Sequence, residues 1–254
     1  MSSAASAVPG PPVPPPLSQI SRLVNVFIAP TSAFTDIKRS AAFWMPWLVM
    51  AIMSWCLVTT VIFKVGWETV QENQIKMQGA KRGEQLEKLK EQNPDAYGRQ
   101  MRIGLIITKI ISFTFPALAM INWLIIALIM MATLNFGAGA QAKFTQCLAV
   151  VLYASLPGLV KAALAIVFLL LGVGVETFTF QNPIASNLSF LATVGTPLYA
   201  FLSALDIFTI WILVLAGIGF SCITGVKRGV TMAMVFGWYA VATLLGVGLA
   251  FIFS

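Results

Sequence analysis

Two ionisable side chains stand inside stretches otherwise fit for lipid. Asp206 lies near the start of "SALDIFTIWILVLAGIG", residues 203–219, and Lys161 follows "SLPGLV" in the run before it. Placing an acid or a base at the centre of a membrane helix costs about 2.5–3.5 kcal/mol, so each calls for a partner, a water path or neutralisation. Counting along helices at about 1.5 Å per residue puts Asp206 roughly 6 Å and Lys161 roughly 9 Å below the same membrane boundary, within a turn of each other. They are the first candidate ion pair. Lys109 competes as the basic partner or snorkels to headgroups. Asn122, near mid-depth, is expected to hydrogen-bond across helices and completes a candidate polar cluster. Pro157 and Gly158 are expected to kink or split the helix just below Lys161, freeing carbonyls that could hold ammonium donors or water. Three roles are open to the pair: a bridge that fixes which helices meet, a path for a solute, ion or proton, and a site for a partner or lipid headgroup.

Other chemistry is excluded more firmly. The chain has no histidine, which removes the commonest general base and zinc ligand and any Ser/His or Cys/His pair. Ser221 in "GFSC" therefore lacks a histidine base, and Lys161 and Asp206 belong toward the opposite membrane face. Cys56, Cys147 and Cys222 fall in separate apolar runs without a CxxC pair, and read as reduced, buried small hydrophobes. A non-enzymatic protein without metal or cofactor is expected.

The elements that must position these groups are membrane spans. Of 254 residues, 58% are hydrophobic and 10% charged, against about a quarter charged in soluble domains. Apolar runs at about 41–63, 104–134, 144–173, 199–224 and 230–253 are each long enough to cross roughly 30 Å of hydrocarbon. The fold class is all-α: a polytopic five-transmembrane-helix bundle with an N-terminal amphipathic interfacial helix, its domain running from 41 to 254. The second run, too long for one perpendicular crossing, is expected to tilt or to begin as a water-exposed extension. Gly217, Ser221 and Gly225 form a small-xxx-small stripe, a candidate helix-packing surface. Trp44 and Trp47 read as interfacial belt residues, and Trp123 as packing.

Residues 1–16, rich in Ser, Ala and Pro and without positive charge, read as a disordered tail rather than a secretory signal. Over 17–40, Leu17, Ile20, Leu23, Val24 and Phe27 recur at helical spacing and predict an interfacial helix ended by Pro30. A second short turn is expected to carry Phe34 and Ile37 toward lipid and Lys38 and Arg39 toward headgroups. Residues 65–102 form a charged helical loop: Glu84 precedes Lys88 by four residues, Leu86 and Leu89 are three apart, and Asn93 and Pro94 end the helix.

The net charge of +7 does not point to nucleic acid. Seven basic and six acidic residues share the 65–102 loop, leaving +1 there, and several others flank spans, where they set topology and meet headgroups. Lys38 and Arg39 flank the first span, and 174–198 carries no Lys or Arg. The chain is expected in the cell (inner or plasma) membrane, N-terminus cytoplasmic and C-terminus outside. Its partners are expected to be the lipid bilayer and a protein bound through the surface helix or the 65–102 loop.

"VFIAPTSAFTDIKRSAAFWMPWL", followed by "INWLIIAL", "LYASLP", "LDIFTIWILVLAGIGFS" and "GVKRG", resembles the bacterial Yip1-domain membrane proteins over about residues 20–254. The resemblance implies a five-helix membrane domain with a cytoplasmic N-terminus. In eukaryotic members it implies vesicle traffic, membrane shaping and Rab-type GTPases; for bacterial members it implies no defined activity. The eukaryotic Asp-Leu-Tyr-Gly-Pro motif precedes the first span. The nearest string here, "DAYGR" at Asp95–Arg99, precedes the second span and lacks the proline, so no GTPase-contacting residue is carried over. The function expected is membrane organisation or partner recruitment; the alternative is a small transporter or channel using the polar cluster.

Overall fold

The chain enters its first helix through a cap. In a computed structural model that describes residues 15–253, the Ser18 hydroxyl accepts the amide of Ser21 and opens α1, Gln19–Ile28. Ala29 breaks the helical path, and Pro30, which needs no amide partner in a first turn, starts α2, Pro30–Arg39. The interfacial helix expected to end at Pro30 is α1, and the short turn expected after it is a full second helix that pairs with α1 as a hairpin. The tail expected over 1–16 lies outside the described residues except for Pro15 and Pro16, which are exposed.

The first span, α3 (Trp44–Lys64), leads through two helices, α4 (Trp67–Met77) and α5 (Ala80–Gln92), that form the 65–102 segment. Asn93 then accepts the amide of Ala96 at 3.0 Å and caps α6, Pro94–Ala132, so the residues expected to end one helix also begin the next. Its 39 residues would run about 58 Å at 1.5 Å each. α6 therefore starts ten residues ahead of its apolar run, as an extension under the α4–α5 hairpin.

α6 runs into a π-helical turn, Thr133–Gly137. Asn135 then staples the connection by exchanging two hydrogen bonds with Ala142, its Nδ2 donating to the carbonyl at 3.1 Å and its Oδ1 accepting the amide at 2.7 Å. The third run is two helices, α7 (Phe144–Ala154) and α8 (Pro157–Leu170). The fourth is also two, α9 (Pro197–Ala204) and α10 (Ile207–Thr224), before α11 (Arg228–Phe253). Among the described residues there is no strand, and five helical stretches are long and apolar enough to cross a membrane.

α7 is the axis of the packing. Every residue from Cys147 to Ala154 is buried, because α7 contacts α6, α10, α3 and both helices of the N-terminal hairpin. Val26, Phe34 and Ile37 join this core at 0% exposure. The expectation that Phe34 and Ile37 point to lipid is therefore corrected: they fill the flank of α7 and α10. Lipid tails are as apolar as a protein core, so an apolar stripe does not by itself distinguish the two destinations. Gly219 makes room for this contact, since a Cβ there would stand 2.6 Å from Val150 and 3.0 Å from Phe34.

α3 packs on α8 and α6, and two indole groups fasten it to α6. Trp47 Nε1 donates to the Pro116 carbonyl at 3.2 Å and Trp55 Nε1 to the Phe113 carbonyl at 3.1 Å. Trp47 thus joins two helices rather than only marking an interface. α11 packs along α10 and α9 on one side, and most of its remaining residues are exposed.

Candidate functional site

The acid that drew attention in the sequence sits at a helix start. The fourth run breaks after Ala204, and Asp206 is the N-cap of α10: its Oδ1 accepts the amides of Phe208 and Thr209, each at 3.0 Å. Its Oδ2 accepts Lys161 Nζ at 2.9 Å and the Ser186 hydroxyl. The carboxylate therefore faces two backbone donors at the positive end of a helix, one ammonium and two hydroxyls, the second that of Thr209 at 3.4 Å. The Asp206 side chain is 3% exposed and that of Lys161 18%.

The segment between α8 and α9 seals this end. Ile207 N donates to the Ser186 carbonyl at 3.1 Å. Asn182 Nδ2 donates to Tyr199 Oη and Ser203 Oγ at 2.9 and 3.1 Å, and its carbonyl accepts Asn187 at 2.8 Å. Tyr239 Oη, from α11, donates to the Ala204 carbonyl at 2.8 Å. Neither the cavity of about 610 Å³ between α3 and α6 nor that of about 690 Å³ beside α9 and α11 is lined by Lys161 or Asp206. A carboxylate so filled has little capacity left for a solute.

The other cluster candidates do not join the pair. Lys109 Nζ lies 6.0 Å from the centre of the Trp67 ring, a cation–π contact at the α4 end of α6. Asn122 is exposed on α6 and makes no hydrogen bond to the described residues. Single-sequence depth counting gives height along the bundle but not azimuth, and azimuth separates both residues from Asp206.

Pro157 and Gly158 do split the third span. The carbonyls released at the break turn back on the chain, however: Ser155 Oγ and N donate to Val151 O at 2.8 and 3.1 Å, and Leu156 N to Tyr153 O at 3.2 Å. Lys161 reaches Asp206 instead of these carbonyls. The glycine stripe is likewise corrected in part. Gly217 admits α11, with Met232 against its Cα and Thr231 Oγ1 donating to its carbonyl at 2.7 Å. Ser221 instead donates to Val226 O at 2.7 Å, and Gly225, at φ +80°, is the left-handed cap ending α10.

A second ion cluster carried no weight in the sequence. Arg22 Nε donates to Asp36 Oδ2 at 2.6 Å, its Nη1 to the Ser40 carbonyl at 2.8 Å, and Arg39 Nη2 to Asp36 Oδ1 at 2.7 Å. The Arg22 and Asp36 side chains are 2% and 4% exposed. Next to them, Tyr153 Oη donates to Gln19 Oε1 at 2.8 Å. Tyr153 is nine residues into α7, or about 14 Å along it, so α1 lies well inside the bundle. α1 meets protein with a mixed face, Leu23 and Phe27 packing against the core beside Val26. Gln19, Arg22 and Val26 face protein, while Ile20, Val24 and Ile28 are 65%, 51% and 74% exposed. The available signal was that Arg22 lies opposite the apolar stripe, which in lipid is the side that must find partners.

Residues 24–251 match the family model described as the Yip1 domain. No curated protein and no solved structure gives a significant match. The matched region begins within α1, just after Arg22, and takes in α2 with Asp36, the five apolar helical stretches and the Lys161–Asp206 pair, and the chain belongs to the Yip1-domain family.

Proposed function

We propose that this protein is a non-enzymatic organiser of the membrane, acting through the α1–α2 hairpin as a wedge in one leaflet and recruiting partners through the charged α4–α5 segment. The supporting observation is the exposed apolar edge of α1. A hairpin pinned by the buried Arg22–Asp36 pair presents Ile20, Val24 and Ile28 outward, adding apolar volume to one side of the bundle without crossing the membrane. The α5 surface offers Glu84, Glu87, Lys88 and Lys90, all exposed, as a mixed-charge docking face. Lys38 and Arg39 beside the first span, and a 174–198 segment free of Lys and Arg, support a cell membrane orientation with the hairpin cytoplasmic. The alternative, a solute or proton path through Lys161 and Asp206, draws no support from a carboxylate closed by its own donors.

The test is reconstitution into large unilamellar vesicles at rising protein-to-lipid ratio, read by electron cryo-microscopy. Wild type is expected to narrow or tubulate the vesicles, and an Ile20→Gln, Val24→Gln, Ile28→Gln variant to leave them round at equal incorporation. Round vesicles with wild type at high density, or identical shapes with both proteins, overturn the proposal.

A further inference from the structure

The cavity of about 610 Å³ between α3, α6 and the α4–α5 hairpin is polar at one end and apolar at the other. Its mouth holds five glutamines, among them Gln71 and Gln78, together with Arg82. Its floor is built by α3 and by Ile107, Ile111 and Phe115 of α6. From Gln100 to Phe115 the lining follows α6 for about 22 Å, running from the end of the bundle toward its middle. Ile107, Ile111 and Phe115 are also 50%, 49% and 53% exposed, so the apolar half opens sideways to the hydrocarbon. The volume falls within the range of about 300–1,000 Å³ usual for ligand sites.

Arg82 is the one charged lining residue, and it has no ion-pair or hydrogen-bond partner among the described residues. Gln71, 5% exposed, donates Nε2 to the Met101 carbonyl at 2.8 Å, where Gly104 leaves room for the amide. Its carbonyl oxygen takes no donor from the described residues and can accept a hydroxyl. A site with one cation and several amides above an apolar trough open to lipid complements one class of occupant. The geometry points to a single anionic phospholipid, its phosphate at Arg82, its headgroup hydroxyls among the glutamines and an acyl chain along α6. This site is separate from the hairpin of α1 and α2 and stands independently of the wedge.

Full-length protein in a mild detergent is offered equal amounts of phosphatidylglycerol and phosphatidylcholine, and retained lipid is counted by native mass spectrometry. Wild type is expected to hold one phosphatidylglycerol with at least about fivefold preference, undiminished by excess glycerol 3-phosphate. Arg82→Gln is expected to bring the preference within twofold, and Lys81→Gln, which lines only the neighbouring cavity that Arg82 and Gln78 also border, to leave it unchanged. Ser54→Phe, which fills the trough, is expected to lose both lipids at an unchanged melting temperature. Equal retention of the two lipids by wild type, an intact preference in Arg82→Gln, loss in Lys81→Gln, or displacement by glycerol 3-phosphate overturns the assignment; the last identifies a free-phosphate site instead.

Discussion

Arg22 and Asp36 face each other from two short helices that are otherwise unremarkable in sequence, and their burial makes them mutually dependent. Removing one member of a buried pair leaves an uncompensated charge and costs about 3–5 kcal/mol. Burial pushes the Asp36 carboxyl up, but hydrogen bonds from Arg39 and Arg22 and the Arg22 charge outweigh it and hold it below its ordinary 3.8. A depressed folded-state pKa contributes stability that is complete above the unfolded value and is lost as pH falls through the folded one. The melting temperature of the solubilised protein is therefore expected to drop as pH is lowered below about 4. Asp36→Asn is expected to be less stable at neutral pH and flatter across the acidic window. A wild-type profile with the same acidic slope as Asp36→Asn would remove Asp36 from the account.

At the scale of elements, Asp206 links a cap to an ion pair, and the two roles separate by substitution. Lys161→Met leaves the carboxylate with the Ser186 hydroxyl and the Phe208 and Thr209 amides, so the loss is expected to be that of one charged hydrogen bond, about 1.5–3 kcal/mol, rather than that of an uncompensated charge. Asp206→Asn keeps a capping oxygen but leaves Lys161 without its counter-charge. Asp206→Ala loses both and is expected to be worst, adding about 0.5–2 kcal/mol for the missing cap. Thermal unfolding of the three variants gives the order directly. Lys161→Met as damaging as Asp206→Ala would make the ion pair, not the cap, the dominant role. Reading Asp206 as a residue within a span missed the cap because α9 and α10 are both apolar, and hydropathy carries no mark where one apolar helix ends and another begins.

For the whole molecule, five crossings place the two hydrophilic caps on one side and the α6–α7 and α10–α11 turns on the other. The α4–α5 hairpin and the 174–198 segment meet at the first side, where Asn73 Nδ2 donates to the carbonyls of Glu176 and Phe178 at 2.8 and 3.1 Å. Gly195 packs there against Gly79, a Cβ on it standing 2.6 Å from the Gly79 Cα. In a background lacking the native cysteines and in sealed vesicles of one orientation, Glu87→Cys and Thr193→Cys are expected to react alike with an impermeant thiol reagent. Gln141→Cys is expected to react only from the other side. Labelling of all three from one face would remove the five-crossing topology.

By itself the sequence determined the solvent and the number of crossings, because hydrocarbon demands long apolar helices with their backbone groups paired internally. It also determined that Lys161 and Asp206 share a depth, since rise per residue is constant along a helix. Tertiary structure decided the direction each side chain faces. Phe34 and Ile37 turn to protein, Ile20 and Val24 outward, Arg22 to Asp36, and Lys109 and Asn122 away from Asp206. Those choices depend on rotation about helix axes and on breaks between apolar helices, and neither lipid nor core imposes a compositional signature that would reveal them in a single chain.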